Sequence, residues 1–229
     1  MNVLAIDTST EWLSVAAIGR GATHDRDERA GSHNSERVLP LVEAVLADAG
    51  LRLSDLDGIA FGAGPGSFTG VRIACGVAQG LALGTGVPVV AVGTLEALAQ
   101  AAWRASGATR VCACLDARMR EVYVAAYERA GDAWREVREP AVLKPDEATI
   151  AGENWHGAGD GFAAYPALAE QLQLVRVDAT LRPTARAVAE LALPRLAAGR
   201  GVAARDALPL YVRHRVALTR AERAAGVRL

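Results

Sequence analysis

Nine residues constrain this chain more than any others: Gly62-Ala63-Gly64-Pro65-Gly66-Ser67-Phe68-Thr69-Gly70. Ahead of them, residues 56–61 form an apolar run that reads as a strand central to a sheet. Behind them, 69–83 reads as a helix. A glycine-rich turn between strand and helix is the connection of an α/β unit. Glycine there lets the backbone approach another group closely, and a helix N-terminus can hold an anion. The segment matches neither phosphate fingerprint. A P-loop requires Lys after its last Gly, and the dinucleotide motif requires G-x-G-x-x-G. Here Gly62-x-Gly64 leads to Ser67, and Gly64-x-Gly66 leads to Thr69. Two readings stay open, an anion site and a structural βα turn, and the spacing favours the turn.

Two series of small residues run through the helix that follows. Gly70, Ala74, Ala78 and Ala82 recur every four residues, and so do Gly76, Gly80 and Gly84. Each interior glycine costs a helix up to about 1 kcal/mol relative to alanine. Three of them make sense where another backbone approaches closely. Faces of this kind let helices nearly touch in membranes, but about 15 residues carrying Arg72 and Gln79 are not a span. The alternatives are tight packing inside the domain and contact with a helix of another subunit, and spacing weighs them equally.

The rest of the chain supplies the frame. Residues 3–6 are a buried strand closed by the polar turn Asp7-Thr8-Ser9-Thr10, followed by an apolar run over 12–18 and a polar edge strand over 24–29, as in a β-meander. A helix is predicted over 35–49, with Ser35 as N-cap, Gly50 after its end, and a kink or later start at Pro40. A strand over 87–92 and a helix over 95–104 complete the first half. Beyond 105–108, strands at 110–115, 121–127 and 134–138 form a second meander. Helical patterns return at 161–172 and 184–198, and a late strand covers 208–212. The expectation is a duplicated α/β chain: an N-terminal lobe over 1–104, a C-terminal lobe over 108–212, and a basic tail over 213–229.

Composition narrows the function classes. With 51% hydrophobic residues the chain can bury a sizeable core, and a formal net charge of −1 gives no general attraction to nucleic acid or anionic membrane. The start of the chain has no basic residue ahead of its apolar run, unlike a signal peptide. No apolar stretch reaches the ~18 residues of a membrane span. Cys75, Cys112 and Cys114 are odd in number and lack C-x-x-C spacing, as reduced thiols of a cytoplasmic protein do. His24, His33, His156 and His214 have no metal-ligand spacing, and G-x-S-x-G is absent. Asp7, at the end of the first strand, is either a turn residue or a ligand contact, and so is Asp116-Ala117-Arg118 at a hairpin. In the tail, Arg213, Arg215, Arg220, Arg223 and Arg228 face one acid, Glu222. Such an end is either solvated or a contact for tRNA phosphates. No catalytic site follows from these residues alone.

The pieces AIDTST, SHNSERVLPLV, GPGSFTGVRI, TLEAL, DARMREVY and LPLYVR, in this order and spacing, resemble the TsaB (YeaZ-like) family along nearly the whole chain. GPGSFTG followed by a hydrophobic residue, Arg and Ile is the most specific of them. The resemblance implies an actin-like/Hsp70-like ATPase fold of two lobes. It also implies a non-catalytic subunit of the machinery that forms N6-threonylcarbamoyladenosine at position 37 of tRNAs reading codons that begin with A. The implied partners are a TsaD-like catalytic paralogue, a TsaE-like ATPase through the complex, tRNA indirectly, and a second copy of the chain when alone. No cofactor is tightly bound, and a nucleotide enters only in the assembled complex.

The resemblance also assigns residues. The TsaD-like paralogues carry two metal-binding histidines in H-[LM]-E-x-H, and alignment on the shared Leu-Glu puts Thr94 and Leu98 at those positions. In actin-like ATPases the first-strand Asp is followed by x-Gly-[Ser/Thr], and here Ser9 stands at the Gly position. Asp7, Thr8, Ser9, Ser67 and Thr69 are then the ligand-proximal candidates. The family's partner contact is made by the first two helices of the N-terminal lobe. It maps to Leu39, Val42 and Leu46 on the first and to Gly70, Ala74, Gly76 and Ala78 on the second. The alternative function, an independent ATP-dependent phosphotransferase of the same fold, is opposed by Ser9 and by the missing P-loop Lys. A metallopeptidase is opposed by Thr94 and Leu98.

Overall fold

The computed structural model describes residues 1–212. Two five-stranded sheets carry the fold. In the first, β1 (Val3–Asp7), β2 (Leu13–Gly19), β3 (Ala22–Glu28), β4 (Gly58–Gly62) and β5 (Val89–Val92) take the order β3-β2-β1-β4-β5. In the second, β6 (Arg110–Arg118), β7 (Glu121–Ala130), β8 (Ala133–Leu143), β9 (His156–Ala158) and β10 (Arg176–Asp178) take the order β8-β7-β6-β9-β10. The two orders are the same topology. β1 pairs antiparallel with β2 and parallel with β4, and β6 does likewise with β7 and β9. The duplicated α/β, two-lobed fold expected from the sequence is present.

Strand periodicity sorts the core. Alternate residues of a strand face opposite sides of the sheet, and both sides here are covered by helices. Leu4, Ile6, Leu13, Val15, Ile59 and Phe61 meet α1 (Asn34–Ala49) and α2 (Phe68–Thr85). Their neighbours Val3, Ala5, Ala16 and Ala60 meet α6 (Ala185–Ala197). α3 (Thr94–Ser106) packs Leu95, Leu98 and Ala102 onto the inner face of the second sheet. α4 (Gly161–Ala164) and α5 (Ala167–Gln171) cover its outer face with Phe162 and Leu168. Helix and sheet layers thus alternate through the molecule, with α3 and α6 in contact between the two sheets. Each fully buried Leu, Ile, Val or Phe contributes about 1.5–3 kcal/mol.

The structure departs from the sequence expectations at five places. α6, expected in the C-terminal lobe over 108–212, lies against the first sheet instead. Its N-terminus is fixed there, with Ala185 N–H donating to Ser14 Oγ of β2 at 2.7 Å and Thr184 capping Ala187. The helix expected over 161–172 is split into α4 and α5, because Pro166 disfavours helical geometry at Tyr165, whose φ is −134°. The strand expected over 208–212 does not form. Pro209 has no N–H to offer a ladder, and β5 is already bridged by Val202. Leu210 N–H donates instead to Ala63 O at 2.7 Å. α1 starts at Asn34 after a short 3-10 turn, so Ser35 is not its cap. It also runs on through Pro40, whose lost hydrogen bond falls on the exposed side. The basic tail 213–229 lies outside the described residues.

Candidate functional site

The turn after β1 and the glycine-rich strap are built as one unit. Asp7 ends β1 and turns its carboxylate onto its own turn. Its Oδ1 accepts from Ser9 N–H at 3.0 Å and from Ser9 Oγ at 2.7 Å. Its Oδ2 is buried and has no hydrogen-bond partner among the described residues. Burial pushes the Asp7 carboxyl up to about 6, against the lowering effect of the Ser9 bonds. Thr8 Oγ1 donates to Gly70 O at 2.6 Å, and Ser9 O accepts from Ser67 N–H at 2.7 Å. The strap glycines are required by this contact. A Cβ on Gly70 would stand 1.8 Å from Thr8 O, and one on Gly62 would stand 1.9 Å from Asp7 Oδ2. Ser67 then caps α2, its Oγ accepting from Gly70 N–H at 3.2 Å.

A cleft of about 850 Å³ opens above this floor, between the two lobes. Ser9, Thr10 and Glu11, with Pro65 to Phe68, Val71 and Arg72, form one wall. Asp116, Arg118, Met119, Tyr123 and Asp160 form the other, and Leu210 to Val212 close one side. Of the ligand-proximal candidates, Ser9 and Ser67 line the cleft, whereas Asp7 and Thr8 lie beneath its floor. Thr69 is exposed but does not line it.

The opposite wall is acidic. Asp116 N–H donates to Asp160 Oδ1 at 3.0 Å, Asp116 pairs with Arg118 at 2.9 Å, and burial holds the Asp160 carboxyl above its ordinary value. Arg72 donates to Phe68 O at 2.8 Å and lies 3.4 Å from the centroid of the Phe68 ring and 4.7 Å from that of Tyr211. Sequence reasoning missed Glu11, Arg72, Tyr123 and Asp160. Arg72 lies inside a quoted motif, but Asp160 becomes a cleft residue only through the pairing of β9 with β6.

The floor does not fit a nucleoside triphosphate in the manner of an ATPase of this fold. The N–H groups of Ser9, Ser67 and Gly70 are engaged within the protein, and the facing wall presents Asp116 and Asp160. At the histidine positions of the catalytic paralogues, Thr94 Oγ1 accepts from Gly64 N–H at 3.1 Å, and Leu98 is fully buried against the second sheet. Among the described residues, no group of three or more His, Cys, Asp or Glu is placed to hold a metal ion. No helix among them is long and apolar enough to cross a membrane.

α2 presents two small-residue faces with different fates. Gly70, Ala74, Ala78 and Ala82 face the chain's own sheet. Gly76, Gly80 and Gly84 face outward, and a Cβ on any of them would meet nothing within 4 Å among the described residues. The residues expected from sequence at the partner contact divide between these two environments. Val42, Leu46, Gly70, Ala74 and Ala78 are buried within the chain, because the apolar side of α1 and the inner stripe of α2 both serve the first core. Leu39 and Gly76 are exposed, together with Phe68, Gly80, Leu83 and Gly84.

Comparison with known proteins gives concordant relatives. A family model described as "TsaD: tRNA N6-adenosine threonylcarbamoyltransferase" matches residues 27–220. The tRNA threonylcarbamoyladenosine biosynthesis protein TsaB of Escherichia coli (strain K12) is 43% identical over 224 residues, covering 95% of this chain and 96% of that protein. The protein of the same name from Haemophilus influenzae is 39% identical over 226 residues, covering 94% and 95%. Among solved structures, YeaZ from Pseudomonas aeruginosa matches with a TM-score of 0.86 at 43% identity, covering 92% of this chain and 99% of that one.

Proposed function

The chain belongs to the TsaB (YeaZ-like) family, and from that membership we propose that it serves the formation of N6-threonylcarbamoyladenosine in tRNA as a non-catalytic subunit. Its proposed partner is a TsaD-like catalytic paralogue. A TsaE-like ATPase and the tRNA join through the complex, and a second copy of the chain takes the partner's place when it is alone. The place of action is the cytoplasm, where the tRNA substrate is.

The observation that carries this reading is the outer face of α2. Three exposed glycines in one stripe weaken a helix in water, and nothing among the described residues packs on them. Their use is to let a second helix lie close, with Leu39, Phe68 and Leu83 adding apolar contact around them. The non-catalytic half rests on the cleft. Thr94 and Leu98 cannot act as imidazole ligands, and both are committed to the chain's own structure. The turn at Ser9 spends its N–H on Asp7. A nucleotide, if used, is then held only in the assembled complex, with residues from both subunits.

A reconstitution tests the proposal. The TsaD-like paralogue, the TsaE-like ATPase, threonylcarbamoyl-AMP and unmodified tRNA are combined with and without this chain, and the chain is tested alone. Modification that depends on the chain, with none from the chain alone, is the expected result. Equal modification without it would sink the partner reading. Magnesium-dependent ATP turnover by the isolated chain would instead favour the phosphotransferase alternative.

A further inference from the structure

A buried carboxamide bonds the two lobes to each other, beside an Arg195–Glu96 ion pair that also joins α6 to α3. Gln100 lies on α3 in the helical layer between the sheets and is only 6% exposed. Its Nε2 donates to Glu190 Oε2 on α6 at 2.8 Å. Its Oε1 accepts from Trp134 Nε1 on β8 at 2.9 Å and from Arg129 Nη1 on β7 at 3.2 Å. α6 is packed on the first sheet, and β7 and β8 belong to the second. Both polarities of the amide are used, so its orientation is fixed: a flipped amide would set donors against donors.

The surroundings make this junction cooperative. Glu190 is also paired with Arg104 of α3 and lies 3.6 Å from Arg186. Arg186 reaches Asp25 of β3 at 3.2 Å. The Arg129 guanidinium lies 3.7 Å from the centroid of the Trp103 ring and 5.5 Å from that of Trp134. Ala97 and Ala101 supply small, smooth surface on the same side of α3, and this resists sliding little. The charged and amide bonds resist it more, because each buried group left without its partner is heavily penalised.

We infer that Gln100 is a latch that holds the lobes at one separation and so sets the width of the cleft. α3 transmits this to the cleft floor: Thr94, about 9 Å along the same helix, accepts from Gly64 N–H in the strap. When the latch is released, α3 and the second sheet move against α6 and the first.

The test is an interlobe distance measured on the full chain by double electron–electron resonance, with nitroxides on cysteines placed at the exposed positions Thr69 and Arg120. The native thiols are buried, so label goes to the introduced ones. Gln100→Glu keeps an acceptor for Trp134 and Arg129 but sets like charge against Glu190, cutting only the link to α6. Gln100→Leu removes all three bonds. With labelled chain diluted in excess unlabelled chain, so that a second copy adds no distance, a single narrow distance is expected with Gln100. In Gln100→Glu a longer-distance population should rise roughly tenfold, the effect of losing one bond to a charged group, and in Gln100→Leu it should rise further. Arg135→Ala, which breaks an ion pair within the second sheet, should leave the distribution unchanged. If Gln100→Leu fails to fold, Gln100→Glu decides alone. An unchanged distribution in folded Gln100→Glu, or a broad one with Gln100 itself, overturns the latch.

Discussion

Gly62 leaves room for the carboxylate of Asp7: a Cβ on Gly62 would stand 1.9 Å from Asp7 Oδ2. Asp7 is held from its other side by Ser9, so neither residue can yield. Gly62→Ala is therefore expected to destabilise the fold by about 1–3 kcal/mol or more through overpacking. Urea unfolding of the two proteins checks this, and a change below about 0.5 kcal/mol would contradict the contact.

The same carboxyl gives the fold a pH dependence of definite sign. Its folded pKa of about 6 lies above the ordinary 3.8, so the folded state binds the proton more tightly than the unfolded state. The contribution is fully present below pH ~4 and is lost as pH rises through about 6, a span of about 3 kcal/mol. Asp7→Asn should remove this part of the slope. Urea midpoints followed from pH 4 to 7.5 would show it, and parallel curves for both proteins would refute the assignment.

The two faces of α2 predict opposite outcomes for the same new side chain. Gly80→Arg places arginine in open space and exchanges glycine for a better helix former, so stability should rise or hold within about 1 kcal/mol, while co-elution with the TsaD-like partner is lost. Ala74 is fully buried, and Ala74→Arg should cost more than about 4 kcal/mol and abolish folding. Retained co-elution of folded Gly80→Arg would remove the outer stripe from the interface.

The three thiols should be inert in the native protein. Cys75, Cys112 and Cys114 are buried, and burial pushes Cys112 up to about 12 and Cys114 higher still. A thiol reagent at pH 8 is expected to titrate none of them in minutes and all of them in denaturant. Rapid native reaction of Cys112 or Cys114 would mean that the second sheet opens readily.

Much of the fold was legible because it follows from local pattern. Period-two runs located most of the strands, and the glycine-rich strap between β4 and α2 located a βα connection. Two elements failed where local pattern was overruled by proline: Pro166 split one helix, and Pro209 withheld a ladder donor. The cleft was only half legible. Ser9 and Ser67 stood in recognisable turns, but Asp160 carries no motif of its own and meets Asp116 only because β9 lies beside β6.

The helix after the strap divides what the two levels decide. Sequence alone determined that α2 carries two small-residue stripes and that close approach of something must explain them, because spacing fixes which residues share a face and glycine has a known helical cost. It could not determine which stripe turns inward, since Ala74 and Gly76 are both small and neither polarity nor size distinguishes them. That was decided by the first sheet, whose Leu4, Ile6 and Phe61 side chains must be covered. The inner stripe, Gly70 to Ala82, covers them, and Gly76, Gly80 and Gly84 are left at the surface.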